Sequence, residues 1–264
     1  MVAVGTVQYT LGRPPVTGCG VAISDEELDS SLAGPVAEIV FDDEGIADLT
    51  SLIAGLSETE FSPEAIRGIL SDSAEPENWR VGEALAESYL VHNKNCHFPW
   101  PDGRDERKAG SSLPGADLVG FHRDGECDRF AFGEVKTSSD RNYPPGAMYG
   151  QTGLKQQLED LCNNQIIRQN LVKYLGHRAK NAVWKTQFQN AAGRFLKDSN
   201  DVRIFGAMVR DVPPHEDDLR VRVDKLGDGC PANIEMELLA IYIPENSIST
   251  LSEKVVQSRN GGEA

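Results

Sequence analysis

The chain has 264 residues, 39% hydrophobic and 25% charged, a composition that suits a globular protein with a substantial buried core. It contains no run of about 18 apolar residues. Its five cysteines are scattered without a Cys-x-x-Cys pair, which argues against a disulfide framework or a cysteine-built zinc site. The formal net charge of −15 opposes long-range attraction to nucleic acid, so any grip on a phosphate backbone must come from a local basic surface or from a partner.

Residues 1–75 read as an N-terminal α+β module, structural or partner-binding in role. Within it, Val2 to Thr10 and Val36 to Phe41 read as strands, the second ended by Asp42-Asp43-Glu44-Gly45. Ile46, Leu49, Leu52, Ile53 and Leu56 then recur at helical spacing. Ser62-Pro63-Glu64 is a sound helix start, with Ser as N-cap and Pro at the first position. The opening Met-Val-Ala-Val-Gly-Thr-Val lacks the basic start and apolar core of a signal peptide. With the cysteine pattern, this predicts a protein of the reducing cytoplasm with no membrane partner.

Residues 76–264 read as the second unit. A helix is predicted from about Glu77 to His92, followed by a polar loop from Asn93 to Pro114. Two apolar strands follow, Gly115 to Phe121 and Phe130 to Thr137, around a turn at His122 to Asp128 that contains Asp124-Gly125. Helical stretches are predicted from about Gln151 to Leu175 and from Asn181 to Lys197. Val202 to Val209 and Glu235 to Ile243 read as strands, and Ser247 to Gln257 as a closing helix. This succession is an α/β pattern. Basic residues gather between Lys155 and Arg203, including Arg168, Lys173, Arg178, Lys180, Lys185, Arg194 and Lys197. Such a surface would bind DNA or RNA alike, since phosphate contacts carry no sequence information.

The chemistry-bearing residues lie on the strand pair. Glu134 and Lys136 stand two apart, so they share one face of a strand with Phe130 and Phe132. Folding the hairpin near the Asp124-Gly125 turn brings Asp117 roughly opposite Glu134. Two carboxylates at one end of a sheet can hold a hard cation such as Mg²⁺, or Mn²⁺, which keeps several of its waters. Lys136 beside them can stabilise developing negative charge. A Glu-x-Lys triplet alone means little, because ordinary residue usage yields about one by chance in a chain of this length. Glu106-Arg107-Lys108 is such a copy, set in a polar loop as a solvated charge run. The bland reading of the strand copy is an edge hairpin with a surface Glu–Lys pair, and the strand-borne Asp117 in matching register tells against it. The five histidines show no ligand spacing, and no phosphate-binding loop or dinucleotide fingerprint is present.

Ala116-Asp117 and Glu134-Val135-Lys136, behind a helix bearing Gly82-Glu83-Ala84-Leu85-Ala86-Glu87-Ser88-Tyr89-Leu90, resemble the PD-(D/E)XK nuclease superfamily. The resemblance implies a restriction-endonuclease-like core, a central mixed sheet flanked by helices. It implies Asp117 and Glu134 as metal ligands and Lys136 as the electrostatic catalyst. It also implies a further acidic ligand from the preceding helix: Glu83, which fits the family pattern better, or Glu87 one turn on. Glutamines on the following helix often position substrate or water in this superfamily, and Gln151, Gln156 and Gln157 are available. Ala116 stands where the superfamily name has proline. More narrowly, the chain resembles the nuclease subunits of Hachiman anti-phage defence systems, which implies a DNA substrate and a helicase partner. A stand-alone restriction or repair-type nuclease and a non-catalytic nuclease-fold interaction module are the competing readings.

Overall fold

A computed structural model describes residues 3–54, 75–101, 104 and 115–261. The strands are β1 (Thr6–Arg13), β2 (Val16–Ala22), β3 (Cys96–His97), β4 (Leu118–Asp124), β5 (Cys127–Ser138), β6 (Val202–Arg210) and β7 (Ile234–Tyr242). They form one seven-stranded sheet in the order β1-β2-β7-β6-β5-β4-β3. β2, β7, β6 and β5 run parallel, while β1 and β4 pair antiparallel at either side and β3 pairs antiparallel with β4. The α/β class and the mixed central sheet expected from the sequence are present.

The helices are α1 (Asp25–Leu32), α2 (Pro35–Val40), α3 (Asp43–Ala54), α4 (Asn78–Asn93), α5 (Leu154–Asn163), α6 (Gln165–Arg178), α7 (Lys185–Phe195), α8 (Arg220–Gly229) and α9 (Leu251–Gly261). Side chains alternate across a strand, and the sheet therefore has two apolar faces. Phe130, Phe132, Ile204, Met208 and Met236 pack with Leu158 of α5, Leu175 of α6, Phe195 of α7 and Val223 of α8. Ala131, Val135, Phe205, Ala207 and Leu239 pack on the other side with Leu28 of α1, Val36 of α2, Leu85 of α4 and Val255 of α9. The result is a three-layer sandwich with the central strands buried on both faces, the condition parallel strands require. Among the described residues, no helix is long and apolar enough to cross a membrane.

Several local expectations are corrected. Val36 to Phe41 is helix α2 rather than a strand, because Pro35 occupies the first helical position and Val36 and Ala37 are buried on one side. A short apolar run does not itself distinguish the two states. Gln151 to Leu175 is two helices: Asn164 takes an extended conformation and its side chain caps α6 by accepting from the Ile166 amide at 3.0 Å. Helix α1 was not anticipated, although Ser24 and Glu27 form a reciprocal capping box. Helix α8, the crossover between parallel strands β6 and β7, was not anticipated either. The division at residue 75 does not coincide with a break in the sheet, since β2 runs alongside β7 from Val16 opposite Met236 to Ala22 opposite Tyr242. The Ser62-Pro63-Glu64 helix start and the Glu106-Arg107-Lys108 copy lie outside the described residues.

Candidate active site

The geometry of the site follows from one hairpin. β4 and β5 close through Gly125-Glu126, and Gly125 takes φ +62°, in the left-handed region that glycine adopts without strain. From Asp124 opposite Cys127 to Leu118 opposite Gly133 the register has no shift, so the next pair is Asp117 and Glu134. A slip of one residue would throw Asp117 onto the opposite face. As it stands, Asp117 follows the parity of Val119 and Phe121, and Glu134 that of Phe130 and Phe132. All four apolar residues belong to the core beneath α5–α8. The strand that begins as a wall of phenylalanine therefore ends in a carboxylate and an ammonium.

The two acids sit in different surroundings. Asp117 is half-buried, and its Oδ2 accepts a hydrogen bond from the Val135 amide at 2.8 Å. The Glu134 side chain is 1% exposed, and its Oε1 accepts from Lys136 Nζ at 2.6 Å, while Lys136 itself is 23% exposed. Glu134 Oε2 is buried and no donor reaches it among the described residues; its carboxyl neighbour is Asp117, with which it can hydrogen-bond only when one of the two is protonated. Burial pushes the Glu134 pKa up to about 8; the Asp117 carboxylate pushes the same way, and Lys136 pulls against both. Two facing carboxylates repel unless a proton or a cation lies between them. A proton on Glu134 supplies one remedy and a bound cation the other.

The neighbours of Glu134 explain its dryness. Gly206 on β6 is its partner in the parallel register. Leu158 of α5 packs directly onto that glycine: a Cβ added at position 206 would lie 2.6 Å from Leu158 Cδ1. Helix α5 is thereby seated hard against the sheet beside the carboxylate. Gln157, the preceding residue, has a buried Oε1 without a partner among the described residues. Gln156 instead bonds Asp160 at 3.0 Å, and Gln151 is exposed. Of the three glutamines considered from sequence, Gln157 alone points an unsatisfied group inward.

Beyond Lys136 the chain is held by a residue that the sequence reading passed over. Arg210, at the end of β6, is fully buried and donates to Ser138 O at 2.9 Å, Asn142 O at 3.0 Å and Asp218 Oδ2 at 3.2 Å. Asp218 also accepts from Tyr242 Oη at 2.9 Å. An arginine ending an apolar strand was the available signal, because a buried charge must be paired.

Glu83 is placed differently from its expected partners. It lies on α4, whose apolar side packs on the opposite face of the sheet, and it pairs with Arg80 at 3.9 Å. The helix approaches the end of β5 at Gly82, where an added Cβ would meet Thr137 Oγ1 at 2.1 Å. Glu87 is a further turn away along α4. Thus the structure brings together Asp117, Glu134 and Lys136 and sets Glu83 on the neighbouring helix. Among the described residues, no group of three or more His, Cys, Asp or Glu side chains is close enough to hold a metal. The donor set at the hairpin is two carboxylates, one with an orphaned buried oxygen, which fits an oxygen-seeking divalent cation that retains waters. No protein-family model matches the chain, and no curated protein matches it.

Proposed function

We propose that this chain is a metal-dependent nuclease that cleaves DNA phosphodiester bonds. Asp117 and Glu134 would hold Mg²⁺ or Mn²⁺, Lys136 would face the reacting phosphate, and Glu83 would add an outer acidic ligand from α4. The observation that carries the reading is the β4–β5 register, which sets Asp117 opposite Glu134 where Lys136 leaves the core. A buried carboxylate oxygen left without a partner costs roughly 1–3 kcal/mol or more for a charged group. That cost falls on the ionised form, and a cation between the two acids would remove it.

Within this reading each residue has a task. Glu134 must shed its proton to become a ligand, and the adjacent Lys136 favours that loss. Asp117, tethered to the Val135 amide, keeps its second oxygen available for the cation. Lys136 is the one of the three whose charge can stabilise negative charge building on the phosphate. When bound, the metal would polarise a phosphoryl oxygen and lower the pKa of a coordinated water.

The mixed sheet with helices on both faces supports a restriction-endonuclease-like core, and that finer assignment is part of the proposal. So is the setting: an effector subunit of an anti-phage complex, cytoplasmic, with a helicase partner bringing it to DNA. The net charge of −15 supports a partner, since the chain as a whole is repelled by DNA.

The test is Mg²⁺-dependent cleavage by wild type against a Glu134→Ala/Lys136→Ala double variant. The expected result is cleavage that EDTA abolishes and that falls by at least about 10²–10³ in the variant. Undiminished cleavage by the variant sinks the assignment. Strong cleavage of naked duplex by the isolated chain would favour the stand-alone nuclease over the partnered one.

A further inference from the structure

Between Asp160 and Asp198 the chain contains no aspartate or glutamate, although the protein has 41 acidic residues. The cations of that stretch fall into two groups. Arg168 is buried, and its guanidinium donates to the carbonyls of Leu161 and Cys162 at 2.7 Å each and to Asn200 Oδ1 at 2.8 Å. Arg194 pairs with Asp201 through contacts of 2.7 and 3.0 Å. Arg178 stacks on Tyr174 at 3.7 Å and on Trp100 at 5.3 Å. These three arginines are committed to holding the fold, so the basic surface expected from sequence is smaller than its residue count. Lys173, His177, Lys180, Lys185 and Lys197 are exposed, and none of their side chains forms a hydrogen bond or ion pair with a described residue.

The placement of the first four is ordered. Positions 173, 177 and 180 are four and three apart, so they follow one side of α6 into the turn beyond it. Lys185 opens α7 on the far side of that turn. Midway along α6, Leu171 lies beside the approach to the candidate site: a Cβ added at Gly115, two residues before Asp117, would lie 2.9 Å from Leu171 Cδ2. At the far end α7 is tied to β3, with His97 Nδ1 2.7 Å from Gln187 Oε1. From Leu171 to the turn is about 15 Å at 1.5 Å per residue, room for roughly four nucleotides of one strand. Between Lys180 and Lys185, Val183 is 97% exposed. An apolar tip flanked by ammonium groups suits a base edge bearing the thymine methyl, which uracil lacks.

From this arrangement we infer that the α6–α7 turn is a DNA-binding surface: Lys173, Lys180 and Lys185 hold phosphates spaced along one strand, with Val183 against the bases, and lead that strand toward the Asp117–Glu134 corner. The stretch itself contributes no acid to offset these lysines. The inference deepens the nuclease reading, yet its binding half can be measured without any cleavage.

The experiment measures binding of a short labelled DNA duplex by anisotropy, in EDTA, across a salt series. It compares wild type, Lys173→Ala/Lys180→Ala/Lys185→Ala, and Arg220→Ala/Lys225→Ala/Lys254→Ala, which removes equal charge elsewhere. Three lost phosphate contacts should flatten the slope of log K against log salt by about 2.7, with the second triple variant keeping the wild-type slope. Melting curves of all three check that the proteins are folded. An unchanged slope, equal flattening in both triple variants, no duplex binding by wild type, or tighter lysine-dependent binding of the matching RNA each overturns the surface as stated. Cleavage with an unchanged slope would leave the nuclease reading standing and remove this one. Lysine-dependent binding with no cleavage under any metal would do the reverse.

Discussion

The carboxylate of Asp117 accepts a hydrogen bond from the amide of Val135, 2.8 Å away, one residue past the position it faces across the hairpin. The acid is therefore tied to the strand that carries Glu134 and Lys136, and the three groups move as one unit. Two substitutions separate its structural role from its chemical one. Asp117→Asn keeps an oxygen for the amide and loses the charge, so stability should hold while Mg²⁺-dependent cleavage is lost. Asp117→Ala also strands the amide and should cost a further 1–3 kcal/mol or so. Urea unfolding and a cleavage assay check both; wild-type cleavage by Asp117→Asn, or equal stability of the two variants, would contradict the assignment.

Glu134 predicts an unusual pH dependence in the metal-free protein. Its carboxyl is raised from 4.5 to about 8 by burial and then by Asp117, against Lys136. The folded chain thus holds this proton more tightly than the unfolded chain. The resulting stability is complete below pH 4.5 and is lost as pH rises through 8. Glu134→Gln removes that loss. In EDTA the variant should gain on wild type between pH 5 and pH 9, by something on the order of 2–4 kcal/mol. Chemical denaturation at the two pH values measures it, and parallel stability profiles would refute it.

The hairpin was legible because its determinants are local. Asp124-Gly125 marks the turn and alternation sets the faces, so Asp117 and Glu134 could be placed on one face at one end of the hairpin. The register itself could not be read, because a loop on Asp124-Gly125 would pair Asp117 with Phe132 and the loop is Gly125-Glu126. The central strands Val202 to Val209 and Glu235 to Ile243 were legible as nearly continuous apolar runs, broken by Arg203, Glu235 and Glu237, the mark of strands buried on both sides. What escaped depends on distant neighbours. The sequence of α8 is largely polar and turns only Val223 and Leu226 inward with Arg222, whose buried guanidinium lies 3.8 Å from Glu159. Arg168 reads as one more surface cation until the ends of α5 and β6 are brought to it. Gly206 reads as a weak point in a strand until Leu158 fills the space above it. Glu83 could be placed on a helix but not on a face of the sheet, since helical periodicity is silent on which layer a helix joins.

Arg210 gives a prediction about the loop beyond Lys136. Arg210→Met leaves Asp218 buried without its guanidinium and frees the carbonyls of Ser138 and Asn142. Breaking such a pair costs about 3–5 kcal/mol, while replacing both partners by apolar groups is often far cheaper. Arg210→Met/Asp218→Leu should therefore recover part of the lost stability. It should not recover cleavage, because the loop following Lys136 is still unanchored. Amide exchange across residues 138–142 would report the loosening, and full protection there in Arg210→Met would count against the anchoring role.

The approach of α4 to β5 yields the last prediction. Alanine is the better helix former by about 1 kcal/mol, so Gly82→Ala on an open helix would stabilise the protein. Here the new Cβ would lie 2.1 Å from Thr137 Oγ1 and 3.1 Å from both Thr137 Cβ and Cγ2. Rotating the threonine exchanges one clash for another, because its Cβ is itself too close. The helix must lift, and overpacking of this kind costs about 1–3 kcal/mol. Gly82→Ala should lower the melting temperature, and adding Thr137→Ala should recover part of the loss, since Oγ1 and Cγ2 are gone and only the 3.1 Å approach to Cβ remains. Thr137 Oγ1 is buried without a partner, so its removal sacrifices no hydrogen bond among the described residues. If Glu83 serves the metal from this helix, cleavage should fall in Gly82→Ala and return in the pair along with stability. Restored stability without restored cleavage would count against helix spacing as the cause and point to Thr137 itself.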